Sequence, residues 1–202
     1  MTARVALPAT VLGARRLRLT AETLDGAALL LRVVGASDDA ALLTTPPPTP
    51  PTPMALPAWD AAALLALHVQ HAALQALAAA SAALSPVARG EAELAAAALL
   101  LRMATAMREA AWLVEILGAI AEGDDLDAWE PPADASALRL QIALGDLRQA
   151  LAVWRDVARR AAIDGAGVYE GAAHVAALLE ALPNHRQHAM EERRASRAAA
   201  AN

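Results

Sequence analysis

The sequence predicts an all-α protein: an antiparallel up-down bundle of three long helices and one or two shorter ones, carrying a small N-terminal hairpin-like arm. Three observations predict it. Of the 202 residues, 57% are hydrophobic, mostly Ala and Leu, with no Phe and a single Tyr. Ala and Leu are strong helix formers, whereas strands favour β-branched and aromatic side chains. From Ala58 onward apolar residues recur at three- and four-residue spacing, as on a helix with one buried face. Helix-breaking signals at Ser85-Pro86, Gly123, Gly165, Gly167 and Pro183 then divide this region into segments.

Residues 1–43 read as the arm. Leu17, Leu19 and Ala21 alternate with Arg16, Arg18, Thr20 and Glu22, Asp25-Gly26 supplies a turn, and residues 29–34 offer a return strand. A short helix over the second half is the rival, because Ala27 to Leu31 has no strand preference. Residues 1–35 hold five Arg against Glu22 and Asp25, so the arm is basic. Residues 44–57 form a Pro/Thr-rich linker. Such proline density favours extended polyproline geometry, and at ~3.1 Å per residue a dozen residues make a spacer of roughly 35 Å.

Residues 58–183 are the bundle. The expected helices are 58–84, 91–121, 136–164 with Asp134 or Ser136 as N-cap, and a shorter 168–182. Their stripes are Leu64, Leu67, His71, Leu74, Ala78 and Ser81; then Leu99, Met103, Ala106, Ala110, Leu113, Leu117 and Ile120; then Leu140, Leu144, Leu147, Leu151, Trp154 and Ala158. Residues 184–202 read as a polar, flexible tail.

The first two long helices also carry apolar residues off the stripe, at Leu65, Leu77, Leu100, Leu101 and Val114. A helix apolar nearly all round is buried on several sides, and three long helices supply too little cover. A partner surface is therefore expected at these residues. Trp129 among acidic neighbours, and Arg16 and Arg18 on the arm, complete the candidate partner-binding set.

One candidate metal site is present. His68 and His71 lie three apart on one helix, ~15–20 Å from its start at the 1.5 Å helical rise. Glu109 and Asp146 fall at similar height on the neighbouring helices of an up-down bundle. Two imidazoles and two carboxylates suit a divalent ion, although the paired Glu-x-x-His motifs of di-iron bundles are missing.

Other chemistry is excluded or unsupported. Without Cys there is no thiolate nucleophile, disulfide or cysteine metal site. No strained nucleophile elbow and no glycine-rich nucleotide loop occurs, so no cofactor is expected. Residues 58–134 hold eleven acids against three Arg, which disfavours nucleic acid. The uncharged run Ala61–Ala88 is long enough to span a bilayer, but it contains His68, Gln70, His71 and Gln75 and is largely Ala. No membrane role is expected, and the cytoplasm is the default location.

The expectation is a non-enzymatic interaction or assembly subunit (scaffold, adaptor, chaperone or structural component) that meets copies of itself or another protein. The alternative is a bundle that binds a metal or small molecule, with or without catalysis, at the His68/His71 site.

Overall fold

A computed structural model of the chain describes residues 9–33, 56–122 and 126–200, with side chains of the last stretch from residue 133 onward. Six helices occur among them: α1 (Ala9–Val33), α2 (Ala58–Ala80), α3 (Pro86–Glu122), α4 (Leu126–Arg160), α5 (Ala166–Glu180) and α6 (Leu182–Ala200). The described residues are all-α, as the composition predicts. The proline-rich linker lies outside them except for its last two positions.

The hairpin expected near the N-terminus is instead the single helix α1. Its buried residues include Ala14, Leu17, Ala21, Leu24, Ala28 and Leu31. These are spaced 3, 4, 3, 4 and 3 apart, a seam of helical period. Asp25-Gly26 makes no turn: Asp25 pairs with Arg108 of α3. A helix satisfies its own backbone hydrogen bonds, whereas a two-stranded hairpin leaves half of its groups open.

Helix α3 is the centre. Eighteen of its residues are buried. Its longest contacts are with α1 on one flank and α4 on the other. Arg18–Glu115 and Asp25–Arg108 run in opposite number order along α1 and α3, so those helices are antiparallel. Arg139–Glu109 and Arg102–Asp146 show the same for α4 and α3. Helices α2 and α5 pack on each other behind this three-helix layer. The simple up-down order expected for neighbours is thus broken, since α1 skips α2 to lie against α3.

Small residues decide how close the helices come. Gly13 on α1 accepts the indole of Trp59 on α2, and a Cβ there would collide with that ring. At the facing end of the layer, a Cβ on Gly118 of α3 would stand 2.5 Å from Thr10 Oγ1 of α1. On α2 the buried face is Ala62, Ala66, Val69, Ala73, Leu74 and Leu77; of the expected stripe Leu74 is buried, whereas Leu64, Leu67, His71, Ala78 and Ser81 are only half-buried. An alanine face lets helix axes approach, and this gain in close contact outweighs the larger leucines on the adjoining face. The stripes expected on α3 and α4 are buried as read, from Leu99 to Ile120 and from Leu140 to Ala158.

The helix ends differ from expectation in two informative ways. Helix α4 begins at Leu126, well before the expected N-cap; Ser136 is buried inside it, and Asp134 pairs with Arg186 of α6 at 2.7 Å. Helix α5 stops at Glu180, shortly before Pro183, but the chain does not leave helical structure there: Pro183 lies in the first turn of α6, where a missing N–H costs nothing. The expected flexible tail is therefore helical. Its Leu182, Arg186 and Met190 are buried, and Met190 packs with Ile116, Ile120 and Ala133. From Glu191 onward its residues are exposed, apart from a half-buried Arg193.

Helix α4 closes with the hydrogen bonds Ile163 N–H to Ala158 O at 2.8 Å and Ala162 N–H to Arg159 O at 3.3 Å. Ala162 occupies the left-handed position of this motif with φ of 54°. That conformation costs an L-residue roughly 1–2 kcal/mol and a glycine little. Ala162→Gly should raise unfolding stability by about 1 kcal/mol, seen as a higher urea midpoint with unchanged slope. Gly118→Ala should do the reverse despite its better helix propensity. The gain of about 1 kcal/mol is outweighed by overpacking of roughly 1–3 kcal/mol. Adding Thr10→Ala should recover part of that loss in a double-mutant cycle; additive effects would mean that α1 and α3 do not touch there.

Candidate interaction surface

The four residues of the expected metal layer are not brought together. His68 donates from Nδ1 to Leu64 O within its own helix at 2.8 Å, leaving Nε2 buried without a partner among the described residues. His71 is half-buried on the same helix. Glu109 and Asp146 lie on the α3–α4 seam, where Arg139 at 3.2 Å and Arg102 at 3.3 Å neutralise them. Among the described residues no group of three or more His, Asp or Glu side chains could hold a metal ion. The reason is topological: α2 packs chiefly against α5 and α1 and touches α3 less, so its histidines do not meet the acids of the α3–α4 seam.

The expected partner-binding set divides in the same way. Leu77, Leu100 and Val114 are buried inside the chain, and Leu65 packs half-buried on the core. Cover comes from the other helices of the chain, among them α1, the long helix that the hairpin reading left out. Leu101 alone of these five apolar residues is exposed. Trp129 falls on α4, with its side chain outside the described ones. Arg16 Nη1 binds the buried Asp60 at 2.8 Å and ties α1 to α2. Arg18 binds Glu115 and also lies over the Trp112 ring, 5.1 Å from its centroid. The described part of the arm, residues 9–33, is thus packed on the bundle.

What remains open is a different apolar surface. Along α3 the residues turned away from the core are Leu94, Ala98, Leu101, Thr105 and Trp112, spaced four, three, four and seven apart on one side of the helix. Ion-pair register places the flanking helices against this strip. Asp25 opposite Arg108 puts Leu29, one turn on, at the level of Thr105 and Leu101. Arg139 opposite Glu109 puts Ile142 at that same level, and Asp146 opposite Arg102 puts Val153 near Leu94. Trp112 is 51% exposed, Leu29 61% and Ile142 60%, so these are open side chains rather than marginal ones.

The electrostatics of the surface are balanced locally. Each flank of the strip carries two interhelix ion pairs, Arg18–Glu115 and Asp25–Arg108 on the α1 side, Arg102–Asp146 and Arg139–Glu109 on the α4 side. Such half-exposed pairs add little to stability, about 0–1 kcal/mol each. Their effect on the surface is larger: the apolar strip lies between rows whose net charge is zero.

Two shallow cavities of about 310 and 360 Å³ lie between α4 and α5, on either side of Arg155 stacked over Tyr169. Alanines and arginines at helix surfaces line them, with no convergent set of acid, base or nucleophile. One helix, α2, is long and apolar enough by length and composition to cross a membrane, and in this fold it packs against α1, α3 and α5.

Searches against protein families, curated proteins and solved structures match nothing to this chain.

Proposed function

We propose that the chain is a non-enzymatic interaction or assembly subunit working in the cytoplasm, and that its contact surface is the open face of the α1–α3–α4 layer. One observation carries this reading. Six large apolar side chains (Leu29, Leu94, Leu101, Trp112, Ile142 and Val153) share that face, while the charges beside them are already paired within the chain. At roughly half exposure each they open on the order of 600 Å² of apolar surface, the upper end of what a single chain ordinarily leaves to water. Exposed Trp is the residue type most enriched where binding energy concentrates, and Trp112 stands at one end of this surface.

The partner under this reading is a protein surface, whether a second copy or another chain. The broader roles of scaffold, adaptor, chaperone or structural component all use a face of this kind. The arm has no part in it beyond supplying Leu29 and the Arg18–Trp112 stack.

A photo-crosslinking amino acid placed at Leu101 in living cells tests the reading. The expected result is an adduct of defined mass that the same probe at the exposed Ala177 on α5 does not give. Equal labelling from both positions, or none above background from Leu101, would contradict it.

A further inference from the structure

We infer that α6 is a displaceable strap over one end of the open strip of α3, and that its release lengthens the interaction face by Ile116 and Ile120; this rests on the interaction reading above. The apolar line of α3 does not stop at Trp112. Ile116 follows one turn later and stands eighteen residues from the exposed Ala98, five full turns along the same side of the helix. Yet Ile116 is only 3% exposed, against 51% for Trp112. Over it lies Met190 of α6, packed with Ile116, Ile120 and Ala133. The line is continuous, and α6 covers its C-terminal end.

The way α6 is held makes it separable. Ile116, Ile120, Ala133 and Met190 form a cluster of their own, apart from the main core that α1 to α5 share with Leu182. Past Leu182, the buried residues of α6 are Arg186 and Met190. Lifting α6 from Arg186 onward therefore leaves the main core closed, with Leu182 as the anchor. Arg186 Nη2 donates to Asp134 Oδ1 at 2.7 Å, and its Nε donates to Met190 Sδ at 3.4 Å. A buried guanidinium gives up its hydration, and the attraction of its ion pair does little more than offset that loss. Both charges regain water when α6 lifts, so the pair orients the docked helix without locking it. The apolar hold is then chiefly that of Met190, an unbranched side chain that adapts to its seat rather than interlocking with it.

Docked α6 and an extended contact compete for the same two isoleucines. A partner that reaches Ile116 and Ile120 binds the lifted state better and shifts the population toward it. The coupling is reciprocal: whatever loosens α6 strengthens the contact.

Two variants of the full chain loosen the strap by different routes. Asp134→Ala leaves Arg186 buried without its charge partner, which penalises the docked state, and Met190→Ala removes the seat contact. In native hydrogen exchange, amides from Arg186 to Met190 should exchange about tenfold faster or more in both variants, with those from Leu99 to Leu113 unchanged. The photo-crosslinker at Leu101 should give more adduct in each variant than in the parent chain. Exchange that rises equally in α6 and α3, or stays unchanged in α6 in both variants, would overturn the strap. Faster exchange of α6 with an unchanged or smaller Leu101 adduct would overturn its control of the face and leave the interaction reading standing. No adduct from Leu101 in any of the three chains would overturn the interaction reading, and control of the face with it.

Discussion

Nearly everything in this fold depends on α3 being covered from three directions at once. Its buried positions, from Ala92 to Ile120, occupy all but a narrow strip of its circumference. One helix cannot cover so wide a face, and two cannot do it without leaving large gaps. Helices α1 and α4 take the flanks, α2 and α5 the back, and α6 the C-terminal end through Met190. Alanine makes this possible: at Ala96, Ala104, Ala106, Ala110 and Ala111 the side chain is small enough for neighbouring axes to come close. The leucines and methionines between them fill the remaining volume, as close packing demands.

That geometry explains why the open strip is where it is. Flanking helices α1 and α4 meet α3 through ion pairs at the rim, which hold both helices level with it rather than folded over it. The same pairs neutralise the charges that would otherwise keep another protein away. The apolar residues left between the two rows then have nothing within the described chain to cover them. The proposed interaction role would use the same arrangement that stabilises the bundle.

The class of the fold, and the faces of α3 and α4, were legible because Leu and Ala recur there with unbroken helical spacing over several turns. The N-terminal helix was not. Leu17 and Ala21 satisfy both an alternating strand pattern and an i, i+4 helical pattern, and Asp25-Gly26 tipped the local reading toward a turn. The longer seam from Ala14 to Leu31 contains the decisive signal, since six positions fit a helix and an alternating strand would place them on both faces. Missing α1 then propagated. Leu77, Leu100 and Val114 look uncovered in a bundle counted one long helix short, and the structure buries them within the chain. The face of α2 is legible only at Leu74, because Leu outweighs Ala on any hydrophobicity scale although Ala is what permits close approach. Trp112 was readable as part of a spacing with Leu94, Leu101 and Thr105. It is distinguished only by which side of α3 the other helices leave open, which pattern alone does not reveal.

The most direct measurement of this account is native-state hydrogen exchange along α1. If α1 completes the core around α3, amides from Leu17 to Leu31 exchange only through the same global opening as those from Leu99 to Leu113, with equal free energies and equal response to urea. If amides of α1 exchange early and independently of urea while α3 stays protected, the N-terminal segment is a loosely attached arm. The covered α3 and the open strip beside it would then both be misassigned.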